Sequence, residues 1–212
     1  MSPEEKELEI ISHALNVFMK YGIKAVTMDD MSRHLGISKK TLYNFVKDKN
    51  DLVTKTLKLQ CNSENKEVCS ILERKLNAIE EMFEIGKYIS SMLKEVHPSI
   101  HYDLEKYHPD AFEGSIREHK ENVFGCISKN LEKGIEEGYY RKDLNIKVIA
   151  HLYIRKIDLV FDAKIFPPNE ITFDQVYGVM FGYHIRGIAS KKGIEYLEKR
   201  QKKQKKKRQQ KQ

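Results

Sequence analysis

The segment from Thr27 to Leu52 constrains the fold more than any other part of the chain. Thr27 and Asp30 have the spacing of a capping box, which starts a helix. Gly36 suits the left-handed backbone found just past a helix end, and Ser38 can cap a second helix two residues later. Two helices joined by so short a turn predict a helix-turn-helix.

The second helix of this segment is predicted to run from Lys39 to about Val46. Leu42 and either Phe45 or Val46 take its inward positions. Its outward positions carry basic, hydroxyl, aromatic and amide side chains, namely Lys39, Lys40, Thr41, Tyr43 and Asn44. Side chains of these types suit the major groove of DNA, where base edges present hydrogen-bond donors and acceptors.

The overall charge is a poor guide to function. The formal net charge is +7, but residues 191–212 hold eleven Lys and Arg against two Glu, which is +9, so residues 1–190 carry −2. Residues 1–50 carry eight basic and seven acidic side chains, a net +1. The case for DNA binding therefore rests on the placement of a few side chains rather than on bulk charge.

The remaining sequence predicts an all-α protein. Apolar residues make up 40% of the chain and recur at spacings of three and four, and there are only five prolines. Three cysteines without C-x-x-C spacing and an acidic N-terminus without a secretory signal favour a reducing cytoplasm. No apolar run reaches the ~18 residues that a membrane span needs, so a soluble protein is expected.

The predicted organisation is a three-helix N-terminal domain, residues 1–48, followed by a larger helical domain, residues 49–198. Residues 199–212 contain no apolar side chain, and we expect a disordered basic tail there. Two long helices, predicted over 146–166 and 173–191, are apolar on more than one side, which indicates a subunit interface. The interface residues expected are Ile157, Phe161, Val176, Val179, Met180 and Tyr183.

The chain resembles the TetR family of bacterial transcription repressors. The resemblance rests on Gly22 and Thr27, on the runs 35–38 (LGIS) and 41–43 (TLY), and on Lys49 with Leu52, all spaced as in the N-terminal domain of the family. The run 134–141 (GIEEGYYR) looks like the glycine-bounded turn before the two dimerisation helices of the family.

The resemblance implies an all-α homodimer that binds a palindromic operator in double-stranded DNA and is released by an unidentified small-molecule inducer. The DNA-contacting residues it implies are Thr27, Ser38, Lys39, Lys40, Thr41, Tyr43, Asn44, Lys47 and Lys49. The sequence departs from the family pattern at Asn44, Phe45 and Val46, which puts a phosphate contact from position 45 in doubt. For the inducer pocket we expect a lining of Met82, Phe83, Tyr102, Phe112, Phe124 and Tyr153.

Other functions remain open on the sequence alone. The basic helix could meet only a protein partner, which would make the chain a ligand-binding or helical scaffold protein. The basic tail could make it an architectural DNA binder instead. His97 and His101 have a spacing that can share a metal ion, but Pro98 between them favours surface histidines. No catalytic motif is present, so neither an enzyme, a cofactor nor a metal site is expected.

Overall fold

The protein is all-α, as the sequence predicts. The computed structural model describes residues 2–209, and these form ten helices without a β-sheet. None of the helices in that range is long and apolar enough to cross a membrane. The helices are α1 (Pro3–Tyr21), α2 (Met28–His34), α3 (Lys39–Tyr43), α4 (Lys49–Glu73), α5 (Ala78–Glu95), α6 (Ile100–Tyr107), α7 (Pro109–Glu136), α8 (Ile146–Val160), α9 (Phe173–Ile188) and α10 (Lys191–Gln209).

The predicted caps of α2 and α3 and the glycine turn between them are present. Thr27 and Asp30 form the capping box of α2, and the side chain of Ser38 caps α3. Gly36 has φ +65°, the left-handed backbone that lets the chain turn sharply between these helices. Helix α3 ends at Tyr43 and is shorter than predicted, because residues 44–48 turn away instead of continuing the helix.

Contacts divide the chain into two compact units. The first contains the chain up to Ser70 and the segment Ser91–Asn122, and the second contains Ile71–Ser90 and the chain from Val123 onward. The sequence predicts that the first domain ends at residue 48, directly after the helix-turn-helix. The first compact unit is larger, because it also includes most of α4, all of α6 and the first half of α7. The boundary of an independently folding domain stays a prediction.

The first unit has one hydrophobic core, and α6 contributes to it. Leu104 of α6 is buried against the apolar side chains of the first four helices. The other buried members of this core are Ile10, Ile11, Ala14, Phe18, Ile23, Val26, Met31, Leu42, Val46, Leu52 and Val53. The three-helix domain is too small to bury much surface alone, and α4 and α6 supply the missing cover.

The second unit contains a buried polar network that is fully hydrogen-bonded. Glu81 of α5 accepts a hydrogen bond from Asn130 Nδ2 at 3.0 Å and pairs with the Lys133 ammonium. The Tyr140 hydroxyl donates to Asn130 Oδ1 at 3.0 Å. The Tyr140 ring packs so closely on Gly134 that a side chain there would collide with it. The glycine-bounded turn after α7 therefore closes onto α5 and α7.

The last three helices differ in length from the sequence prediction. Helix α8 ends at Val160, and α9 covers Phe173–Ile188, so both are shorter than the apolar pattern indicates. Helix α10 instead continues to Gln209, through most of the segment expected to be disordered. Lys, Arg and Gln are good helix formers, and Leu197 and Arg200 attach the start of this segment to the second unit. The remainder of the expected tail, residues 210–212, lies outside the described part of the chain.

Candidate nucleic-acid interface

Helix α3 is held by its cap and by two buried side chains. Ser38 Oγ accepts a hydrogen bond from Thr41 N at 3.0 Å and lies 2.8 Å from Thr41 Oγ1. Leu42 and Val46 are fully buried and take the inward positions, whereas Phe45 is half-buried at the edge of the same core. These contacts fix the rotation of α3 and therefore the direction of its outward side chains.

The outward side of α3 is exposed and basic. Lys39 pairs with Asp29 of α2 at 2.8 Å, and this contact raises the lysine pKa. Lys40, Tyr43 and Asn44 are exposed. Within residues 2–209 no acidic side chain pairs with Lys40. Of the two lysines at the start of α3, Lys40 therefore has the ammonium available for a phosphate or a base edge.

The residues predicted to contact the DNA backbone lie at the starts of α2 and α4. The Thr27 hydroxyl donates to Asp30 Oδ2 at 2.6 Å and is exposed at the start of α2. Lys47 is exposed just before α4. Lys49 is half-buried, and its Nζ donates to the Lys24 carbonyl at 3.4 Å. Burial lowers the pKa of Lys49. Lys49 thus supports the loop before α2, and its predicted phosphate contact stays a prediction.

A carboxylate of α6 supports the loop between α1 and α2, and the sequence does not predict it. Asp103 Oδ2 accepts hydrogen bonds from Ile23 N at 3.1 Å and Lys24 N at 2.9 Å. It also accepts one from Ser99 Oγ at 3.0 Å. At Gly22, φ is +81°, and a Cβ atom would lie 2.6 Å from Ser99 Oγ. A glycine is therefore required at this position for both its backbone and its contact with α6.

Two further contacts join the segment around α6 to the DNA-binding helices. His97 N donates to the Met19 carbonyl at 3.1 Å. His108 Nδ1 lies within hydrogen-bonding distance of Asn50 Oδ1 at the start of α4. Burial lowers the pKa of His108. His108 is buried, whereas His97 and His101, which the sequence assigns to the surface, are half-buried. In the sequence, the only signal for these contacts is the concentration of polar residues between Pro98 and Pro109.

The geometry at α3 suits binding rather than catalysis. A short helix presents basic, hydroxyl and aromatic side chains outward while buried residues fix its orientation. Among the described residues no three His, Cys, Asp or Glu side chains come together as metal ligands. Hydrogen-bond donors carried on a rigid helix are the means by which helix-turn-helix proteins contact phosphates and base edges.

Sequence comparison agrees with this geometry. Residues 10–55 match the family model described as bacterial regulatory proteins, tetR family. The matched segment contains the whole helix-turn-helix, α2 with α3, and reaches the start of α4. One relative is an uncharacterized HTH-type transcriptional regulator, YhgD of Bacillus subtilis. It is 24% identical over 201 residues, which cover 90% of this chain and 100% of YhgD.

Solved structures share the TetR fold with this chain. A TetR-family transcriptional regulator from Agrobacterium tumefaciens superposes with a TM-score of 0.71 at 15% identity, over 89% of this chain and 100% of the other. FadR from Bacillus subtilis in complex with stearoyl-CoA superposes with a TM-score of 0.63 at 15% identity, over 85% of this chain and 98% of FadR. At this identity the likeness concerns the fold. The chain thus has the fold of these regulators, and its helix-turn-helix segment matches the tetR family model.

The residues predicted to line an inducer pocket are divided between the two compact units. Met82, Phe83, Phe124 and Tyr153 belong to the second unit, and Tyr102 and Phe112 belong to the first. Tyr102 is 52% exposed, and its hydroxyl accepts a hydrogen bond from Lys106 at 2.6 Å. Phe83 packs on Phe181, Phe124 on His151 and Tyr153 on His184, each as a pair of rings. The pocket lining stays a prediction.

The residues predicted at the dimer interface lie on α8, on α9 and directly after α8. Val179 is 63% exposed and Tyr183 76% exposed, whereas Ile157, Val176 and Met180 are half-buried. Phe161 packs against Phe173 within the chain, with ring centroids 5.1 Å apart. An apolar groove of about 480 Å³ runs along this face. Its lining residues are Lys156, Leu159, Phe166, Ile171, Gln175, Val176, Val179, Met180 and Tyr183.

Proposed function

We propose that the chain is a transcriptional repressor that binds a palindromic operator as a homodimer and releases it when a small molecule binds. It acts in the cytoplasm and has no catalytic activity. The observation that carries the proposal is helix α3. Leu42 is fully buried beneath it, while Lys40, Tyr43 and Asn44 are exposed on its outer side. A helix held in this way is suited to entering a major groove.

The face of α8 and α9 supports dimerisation. A monomer rarely exposes several large apolar side chains side by side, and Leu159, Val179 and Tyr183 do so along one groove. At Gly178 and Gly182 a Cβ atom would meet nothing within 4 Å, so a partner backbone could approach closely. Two-fold symmetry then places the two α3 helices in half-sites about 34–36 Å apart.

Ligand response is supported by the attachment of α6 to the DNA-binding helices. Asp103 holds two backbone N–H groups of the loop between α1 and α2, and Leu104 lies in the same core. A displacement of α6 would therefore move the helices that contact DNA. A small molecule achieves this only if it binds one arrangement more tightly than the other. The similar fold of FadR, solved with stearoyl-CoA, is compatible with an organic inducer.

Operator selection followed by gel-shift titration tests the proposal. Sequences selected from random duplex DNA by the full chain should show dyad symmetry. Lys40→Ala and Tyr43→Ala should each weaken specific binding by about tenfold or more, because a single DNA contact typically contributes ~1–3 kcal/mol. Lys6→Ala, which removes an exposed lysine at the start of α1, is the matched control and should have little effect.

Two results would contradict the proposal. Selected sites without dyad symmetry would exclude a symmetric dimer as the DNA-binding species. Specific binding that survives both α3 substitutions would remove α3 from the interface. In the second case a scaffold role for the basic helix, or DNA binding through α10, would be the better explanation.

A further inference from the structure

A basic and aromatic patch lies on the surface of the first unit, apart from α3. It consists of Lys24, in the loop between α1 and α2, and of Tyr102, Lys106 and Tyr107 on α6, and we call it the α6 patch. All four side chains are exposed. The patch joins two segments that are distant in the sequence, so neither segment indicates it alone.

Two ammonium groups of the α6 patch lie close to one aromatic ring. Lys24 Nζ is 4.7 Å from the centre of the Tyr107 ring, and Lys106 Nζ is 5.4 Å from it. Aromatic faces attract cations. Interaction with the Tyr107 hydroxyl raises the pKa of Lys24, and a hydrogen bond with the Tyr102 hydroxyl raises the pKa of Lys106. Both lysines are therefore charged at neutral pH, and they repel each other.

No carboxylate neutralises the α6 patch. At the start of α3, by contrast, Lys39 pairs with Asp29 at 2.8 Å. Within residues 2–209 no acidic side chain pairs with the ammonium group of Lys24 or Lys106. Asp103 accepts from the backbone N–H of Lys24, not from its ammonium group. Two neighbouring cations without a paired carboxylate attract an anion.

The α6 patch adjoins both places where the chain is expected to hold the DNA backbone. Lys24 lies three residues before Thr27, the cap of α2, and its carbonyl accepts a hydrogen bond from Lys49 Nζ at 3.4 Å. His108, the residue directly after α6, contacts Asn50 at the start of α4. Duplex DNA carries one phosphate charge per about 1.7 Å of its axis. A duplex held at the starts of α2 and α4 therefore presents further phosphates to the patch.

We propose that the α6 patch binds a backbone phosphate of duplex DNA. Lys24 and Lys106 supply the positive charge. The Tyr102 hydroxyl accepts a hydrogen bond from Lys106, so its own proton is free to be donated to a phosphate oxygen. An open patch holds a free anion weakly, whereas a duplex bound through α3 supplies its phosphates at high effective concentration.

This inference rests on the proposed function, because it assumes that α3 faces DNA. It adds a DNA contact from the helix that carries Asp103. A displacement of α6 would then release a phosphate as well as move the loop before α2.

Gel-shift titrations of the full chain across a salt series test the proposal. Lys24→Gln and Lys106→Gln each remove one charge and keep a polar side chain at an exposed position. Together they should lower the slope of log affinity against log salt by about 0.9 for each phosphate lost, on the selected operator and on random duplex DNA alike. Lys66→Gln, which removes an exposed lysine from the second half of α4, is the matched control and should leave the slope unchanged.

The ratio of operator affinity to random-DNA affinity separates the α6 patch from α3. Phosphate contacts position a protein without reading sequence, so the double variant should keep this ratio, whereas Tyr43→Ala should reduce it. A retained ratio also shows that the double variant is folded. An unchanged salt slope with the ratio intact contradicts only the patch. A lower slope from a chain without any operator preference contradicts only the proposed function.

Methylphosphonate groups, which are neutral, locate the contact when they replace operator phosphates one at a time. At the phosphate bound by the α6 patch, the replacement should weaken binding of the unmodified chain several-fold and have no further effect on the double variant. At phosphates held by other elements it should weaken both proteins equally. If every replacement weakens both proteins by the same factor, the patch contacts no phosphate and the proposal is overturned.

Discussion

At the scale of single residues, Asp103 shows how a buried carboxylate orients the DNA-binding helices. Its Oδ2 accepts hydrogen bonds from Ile23 N, Lys24 N and Ser99 Oγ. We expect Asp103→Ala to lower the free energy of unfolding by about 2–4 kcal/mol, because two backbone donors would have no acceptor. Asp103→Asn retains an acceptor oxygen and should cost about 1 kcal/mol. Urea unfolding measures both.

The control for Asp103 is Glu105→Ala on the exposed side of α6. It should change the free energy of unfolding by no more than about 0.5 kcal/mol. Equal effects of Asp103→Ala and Glu105→Ala would show that the hydrogen bonds to the loop do not support the fold.

Glu64 gives a pH-dependent prediction at the same scale. Burial raises its pKa, so the folded protein holds a proton that the unfolded chain releases near pH 4.3. The contribution of Glu64 to stability therefore falls as the pH rises from about 4.3 through the folded pKa, and it is least favourable above that value. Glu64→Gln should remove this dependence and raise the free energy of unfolding at pH 7 by on the order of 1 kcal/mol.

Urea unfolding of both proteins across pH 4–8 measures the difference. An unfolding free energy that drops on Glu64→Gln at pH 7 would mean that the carboxylate is stabilising. A gain would show that burying this carboxylate costs stability.

At the scale of helices, the local sequence determines where elements begin but not how far they extend. The caps at Thr27 and Ser38 lie where the sequence predicts them, because capping depends on neighbouring residues. The end of α3 at Tyr43 and the buried role of Asp103 were not predictable in this way. The role of Asp103 depends on partners that are distant in sequence, since Ile23 lies 80 positions away.

Helix α10 gives an element-scale prediction. Arg200 Nε donates to Glu80 Oε1 at 2.9 Å, and the guanidinium lies 3.8 Å from the centre of the Phe83 ring. Deleting residues 201–212 keeps these contacts and should change the free energy of unfolding by no more than about 0.5 kcal/mol. Deleting residues 196–212 also removes buried Leu197 and should cost about 2–5 kcal/mol. Thermal unfolding separates the two truncations.

The shorter deletion also tests how α10 affects DNA binding. If its lysines bind phosphates, removing residues 201–212 should lower the slope of log affinity against log salt by about 0.9 for each phosphate that these lysines neutralise. The preference for the selected operator should persist if, as proposed, α3 supplies it. Loss of all DNA binding with the fold intact would instead identify α10 as the main DNA-binding element.

At the scale of the whole molecule, the proposed dimer would let the small basic surfaces of two α3 helices act together. One copy offers few contacts, since residues 1–50 carry a net charge of only +1. We expect Tyr183→Lys and Val179→Glu, which place charges on the most exposed apolar positions of α9, to convert a dimer into monomers. Sedimentation of the purified protein across a concentration series measures the oligomeric state. Arg186→Glu, a charge change at an exposed polar position of α9, is the control.

Monomerisation should reduce affinity for a full palindrome far more than affinity for an isolated half-site. Joining two half-site contacts in one particle makes the second contact intramolecular and can raise overall affinity by a factor of ~10²–10⁴. The dimer-breaking variants should therefore bind the two DNAs with similar affinity. A variant that sediments as a monomer and still prefers the palindrome a hundredfold would place the source of that preference elsewhere than in the α8–α9 face.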